Sequence, residues 1–192
     1  MKLANTLQLQ HALKEWAIAI EALTTGKTII LLRKGGISER DFQIKHSPAW
    51  LYPTYEHQKP HLLKSIYGSE VTAVKSGWHP HEVKISGCGE ITDVLSVSNI
   101  DQLKALYPYH IWNEQMVVDR FKWKPQKPLI VLLVRAYRLS SPQLIPYQDS
   151  YGGCKSWIDL AQSISTASLV PVITEEEYSR QIELIKKNFE TN

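Results

Sequence analysis

The chain is poor in the features that would fix a class outright. It has two cysteines, Cys88 and Cys154, in 192 residues. Two are too few for a disulfide framework, and no CxxC pair offers a zinc site. Both are therefore expected as reduced thiols in a cytoplasmic protein. The longest apolar run is Leu129 to Val134, far short of the roughly 20 residues a membrane helix needs. Met1 to Gln10 hold one lysine and no apolar stretch, which argues against a secretory signal. No internal repeat, low-complexity tract or composition break marks a linker. The expectation is one domain spanning residues 1–192, with no membrane partner.

What is present is ordinary for a packed protein: 43% hydrophobic and 21% charged residues, enough to fill a sizeable core. The net charge of +3 is mild, but it is unevenly spread. Arg120 to Arg138 carries six bases and no acid, while the segment from Thr174 onward is acidic on balance. A basic stretch of that kind serves either an anionic partner or a solvated surface.

Apolar periodicity gives the elements. Leu9, Leu13, Trp16, Ala17, Ile20 and Leu23 recur at helical spacing, with Asn5 as cap and Gly26 as stop, and predict an N-terminal helix. Thr28 to Leu32 and Leu129 to Val134 are apolar without alternation, as central strands buried on both faces are. A turn at Gly35-Gly36 leads to a returning strand at Phe42 and Ile44. Trp50 to Gln58 reads as irregular, and Leu62 to Tyr67 as a short helix ended by Gly68. Val83–Ile85 and Ile91–Val94 read as two strands about a Gly87-Cys88-Gly89 turn. Short helices follow from Ser98 and from Asn113. The last helix starts at Thr174, with Glu177 completing a capping box and Tyr178, Ile182, Ile185 and Phe189 on its buried stripe. Helices at both ends of a set of strands predict an α+β fold: a mixed, curved or barrel-like sheet flanked by an N-terminal and a C-terminal helix.

Four segments carry a family resemblance: Leu31-Leu32-Arg33-Lys34-Gly35-Gly36-Ile37; Tyr52-Pro53-Thr54-Tyr55-Glu56-His57-Gln58; His110-Ile111-Trp112 with Arg120-Phe121 downstream; and Tyr151-Gly152-Gly153-Cys154-Lys155-Ser156-Trp157. In this order they resemble the bacterial, largely cyanobacterial family known as domain of unknown function 1802. The resemblance spans nearly the whole chain. It implies no established activity. Some members resemble accessory parts of restriction or defence systems, beside a nuclease domain, and this chain has no room for such a nuclease.

Three function classes follow. The first is a nucleic-acid-binding or accessory module. Arg33, Lys34, Arg120, Arg135 and Arg138 stand at strand or helix ends, with Tyr55 and Trp112 in the family segments. Bases joined to stacking rings suit single-stranded or flipped nucleotides, although strand-end arginines also pair with acids and tryptophans also fill cores. The second is a hydrolase or nuclease. Cys154, between Gly152-Gly153 and Lys155, offers a nucleophile, and His57 or His110 a base. Glu82-Val83-Lys84 has the acidic-x-Lys spacing of restriction-type nucleases, with Glu70 upstream. His79 and His81 share a face if extended, but a surface pair is the commoner meaning, and neither a metal nor a cofactor is called. The third class is a protein-interaction or structural role. Convergence of the four segments on one concave surface would mark a site; scatter through the core would mark a fold.

Overall fold

The computed structural model describes residues 7–34 and 42–191. Asn5, the Gly35-Gly36 turn and Ile37 lie outside them. The architecture is α+β, built on a mixed seven-stranded sheet that does not close. Five α-helices accompany it among the described residues. No helix among them is long and apolar enough to cross a membrane.

In chain order the elements are β1 (Gln8–Trp16), α1 (Ala17–Thr24), β2 (Ile30–Arg33), β3 (Ala49–Thr54), α2 (Ser65–Gly68), β4 (Glu82–Val97), α3 (Ile100–Leu106), α4 (Glu114–Lys122), β5 (Leu129–Pro146), β6 (Trp157–Ser165), β7 (Leu169–Pro171) and α5 (Glu175–Glu190). The strand order is β2-β5-β4-β3-β1-β6. β2 pairs with the first half of β5, and β7 pairs with Tyr137 to Leu139 further along. β1 and β3 run parallel, and the other pairs are antiparallel.

Neighbouring residues of a strand point to opposite faces, and here both faces are covered. Ala12, Trp50 and Tyr137 belong to one apolar cluster, while Leu13, Leu51 and Ala136 belong to the other. The larger cluster holds the buried faces of α1, α3, α4 and α5. The smaller is rich in aromatic and β-branched side chains from β3, β4, β5 and β6.

This double coverage explains where the sequence misleads. The expected N-terminal helix begins only at Ala17; Gln8 to Trp16 is a strand. Leu13 pairs with Leu51 on one side and Trp157 on the other, so tertiary pairing overrides a helical spacing that two-sided burial had mimicked. Residues 42–46 form no strand, although Phe42 packs against the core. Ala49 to Thr54 is a strand despite Pro53. Pairing with β4 covers only Ala49 and Trp50, so Pro53 sits where β1 alone is the partner. Gly87-Cys88-Gly89 makes no turn: β4 continues through it, with a register shift against β5 just before Gly87. A Cβ on Gly87 would lie 2.4 Å from the Tyr137 carbonyl oxygen, so glycine here admits a close strand rather than a reversal.

Other expectations hold. β5 is central, paired with β4 over Leu129 to Arg138 and again over Gln143 to Pro146, and with β2 and β7 on the far edge. β2, however, does not take the central place expected of Thr28 to Leu32: it begins at Ile30, ends the strand order and pairs with β5 alone among the described residues, and its unbroken apolar run reflects burial in the larger cluster instead. Asn113 caps α4 by accepting the Met116 N–H at 2.9 Å. Thr174 caps α5 by accepting from Glu177 N–H at 3.2 Å, and three glutamates fill that first turn. Asn99, not Ser98, caps α3.

Candidate functional site: a cationic cleft and an aromatic hollow

Because β1 and β3 are parallel and adjacent, both leave the sheet at the same end. Lys14, Glu15 and Trp16 therefore emerge beside Thr54, Glu56 and His57. The end of β2 brings Leu32 and Arg33. Met116 and Arg120, one helical turn apart on α4, supply another wall with Trp112 and Trp123. The loop before β6 closes it with Gly153, Cys154, Lys155 and Ser156. The result is a cleft of about 280 Å³. Each of the four family segments contributes to it.

Its charges are arranged unequally. Arg33 Nη2 lies 3.1 Å from Glu15 Oε2 and donates to the Lys14 carbonyl at 2.6 Å. Phe42 lies beneath its guanidinium, 5.5 Å from ring centre to Cζ. Lys14 Nζ donates to the Tyr151 and Gly153 carbonyls, at 2.5 and 2.8 Å. Burial lowers its pKa, and the nearby Lys155 lowers it further. Arg120 is desolvated, which pulls its pKa below the ordinary arginine value against the attraction of Glu15. The buried Nε atoms of Arg33 and Arg120 have no hydrogen-bond partner among the described residues. Glu56 is the acid on the far wall. It accepts from Gly77 N–H at 2.7 Å and Ser76 Oγ at 3.0 Å, and those bonds hold its carboxyl below the usual range. His57 sits beside it, 3.5 Å away, at a positive φ of 66°.

A second hollow of about 350 Å³ adjoins the first. Lys14, Thr54, Glu56, His57, Gly153 and Cys154 line both. Its own walls are aromatic: Tyr52, Tyr55, Trp78, His79, Tyr147 and Tyr151. Tyr55 meets Trp78 edge-on at 5.6 Å, and His79 stacks on Tyr147 at 3.5 Å. Trp78 is 46% exposed.

The candidate residues therefore separate. Arg33, Trp112 and Arg120 line the cleft, and Tyr55 lines the hollow. Lys34 is buried, with Nζ donating to the Phe121 carbonyl. Arg135 is buried under α5, donating to the Thr174 carbonyl at 3.2 Å with its guanidinium 4.8 Å from the Tyr178 ring. Arg138 is exposed on β5, opposite Val170. His57 and Cys154 share both hollows, whereas His110 lines neither. His110 is 3% exposed, its ring 5.6 Å from Tyr107 and 5.9 Å from Trp112. Neither of its nitrogens has a partner among the described residues. Burial, with help from Lys64, lowers its pKa to about 3. Glu82 and Lys84 are exposed on β4, and Glu70 pairs with Lys27 at 3.6 Å. Lys14, Glu15 and Trp78 escaped the sequence reading. The first two lay inside an expected helix, and no local signal set them apart from the polar face of that helix.

The match to known proteins bears on the same segments. The family model described as "Domain of unknown function (DUF1802)" matches residues 12–183. The chain belongs to that family. No curated protein matches this DUF1802 chain. Among solved structures it is similar to ASCH from Zymomonas mobilis, at 14% identity and a TM-score of 0.43, covering 91% of this chain and 94% of that one. A mutant of the same protein, ZmASCH, aligns at 13% identity with a TM-score of 0.44, covering 92% and 96%.

Proposed function

We propose that this DUF1802 chain is a nucleic-acid-binding module that takes a strand phosphate in the cleft and a base in the adjoining hollow. The observation that carries the reading is the convergence of four cations, Lys14, Arg33, Arg120 and Lys155, on one cleft that holds two acids, Glu15 and Glu56. A desolvated guanidinium is well matched to a phosphate, whose oxygens accept in its plane and supply the missing charge. The hollow next door offers the exposed Trp78 and the Tyr55 ring as stacking surfaces. An accessory place beside a nuclease in a restriction-type system is the setting that the family resemblance implies.

Fluorescence anisotropy with labelled single- and double-stranded DNA and RNA tests this. Arg33 is already paired with Glu15, which leaves about three cations for phosphates. At about −0.7 per contact on single strands, the log–log salt slope is roughly −2, or about 15-fold weaker binding between 50 and 200 mM salt. Arg120→Ala should flatten the slope by about 0.7. Trp78→Ala should weaken binding at constant slope, because stacking releases few ions. No binding to any of the four at micromolar protein and low salt refutes the proposal.

A hydrolase is the second reading, favoured by one arrangement: the exposed Cys154 shares its walls with His57 and Glu56 and adjoins Lys155. A thiol nucleophile needs a base within reach, and a histidine oriented by a carboxylate can supply one. Loss of hydrolysis in Cys154→Ala with oligonucleotide binding intact would support it.

A further inference from the structure

A second cluster of ligand-type side chains lies outside the groove. His11 on β1 and Asp159 on β6 are direct cross-strand partners, next to a register shift in that ladder. His11 Nδ1 stands 2.6 Å from Asp159 Oδ1. His46, from the segment before β3, stacks on His11 with ring centres 3.5 Å apart and planes 6° from parallel. One donor atom from each of the three lies within 4.8 Å of the others.

We propose that His11, His46 and Asp159 form a binding site for one divalent transition-metal ion of the zinc type. Two imidazoles and one carboxylate are the donor set that such ions favour, and three protein ligands leave a fourth position for water. Hard cations such as Mg²⁺ prefer oxygen alone. In parallel rings the lone pairs run side by side, so one ring must tilt to share an ion. His46 belongs to residues 42–46, which lie in no helix or strand and can supply that tilt.

The site has a consequence for the groove. Residues 42–46 place Phe42 under Arg33, and the Gln43 carbonyl accepts from Trp157 Nε1 at 2.8 Å. Trp157 directly follows Ser156 of the cleft wall, and its ring meets His46 edge-on at 5.7 Å. An ion on His46 pins that segment against the β1–β6 edge and steadies one wall of the cleft.

The proposal does not depend on what the groove binds, and its test uses metal alone. Isothermal titration of the metal-stripped chain with ZnCl₂ should show one site, weakened about tenfold or more in His11→Ala, His46→Ala and Asp159→Asn. These side chains are partly exposed, with 41% and 76% for His11 and Asp159, so the variants keep their circular dichroism. Ni²⁺ should quench tryptophan emission in the parent chain, and Trp157→Phe should remove most of that quenching while ZnCl₂ binding persists. Full ZnCl₂ affinity in His46→Ala, no binding up to about 100 µM ZnCl₂, or equal affinity for MgCl₂ would overturn it.

Discussion

His110 offers a quantitative test of how the core treats a polar ring. Its pKa falls from the model-peptide value of 6.5 to about 3 on burial. The unfolded chain therefore takes up this proton first as pH drops. A group whose folded pKa is depressed contributes its stability above the unfolded value and loses it as pH falls from 6.5 towards 3. At pH 7.5 the effect is negligible; at pH 5 the unfolded state gains about 2 kcal/mol from this one residue. His110→Phe removes the proton site together with two nitrogens that have no partner among the described residues. Replacing them with a ring of similar shape should change stability at pH 7.5 by about 1 kcal/mol or less. The assay is urea unfolding of both proteins at pH 7.5 and 5. With an m-value of about 2 kcal/mol/M, the parent's midpoint should drop by about 1 M more than the variant's. Equal pH dependence in the two proteins would refute the reasoning, and would mean that His110 keeps a proton acceptor in the folded state.

Glu15→Ala should cost about 3 kcal/mol in the same assay, because it strands the nearly buried Arg33 charge; a loss under about 1 kcal/mol would show that Arg33 finds another acid. Gly87→Ala should cost about 2 kcal/mol, since its Cβ must push β4 away from the Tyr137 carbonyl; an unchanged midpoint would mean the strands are further apart. Cys88 is fully buried, with its thiol pushed up to about 12, and Cys154 is exposed. Iodoacetamide at neutral pH should label Cys154 in the folded protein and Cys88 only in denaturant, read by mass spectrometry of digests; labelling of Cys88 in the folded chain would contradict its burial.

Much of the fold was readable wherever one principle acted alone. The caps at Asn113 and Thr174 are local chemistry, and the unbroken apolar run of β5 has one reading in a chain this size. The errors cluster where two faces are buried at once. In β1, Leu9, Leu13 and Trp16 match a helix by spacing, and only pairing with β3 and β6 reveals a strand. In β4, glycines that signal a turn serve a close strand approach. The cleft was half visible. Arg33, Arg120, Trp112, His57 and Cys154 stood in the family segments, but nothing local says that Arg135 turns inward to α5 or that Lys14 joins the groove. Those placements depend on which strands are parallel, and pairing order is not written in any short window.

The alternation of β1 between the two apolar clusters ties chemistry to alignment. Lys14 lies on the same side of its strand as Ala12, and Leu13 on the other. Sliding β1 by one residue would push Leu13 into the small cluster and lift Lys14 out of the groove in the same motion. The apolar packing thus works as a jig for the cation: whatever keeps Ala12 and Leu13 in their seats also keeps the Lys14 amine aimed at the Tyr151 and Gly153 carbonyls. Substitutions that preserve both interiors inherit the groove unchanged, and an inserted residue anywhere between Ala12 and Lys14 dismantles the two together.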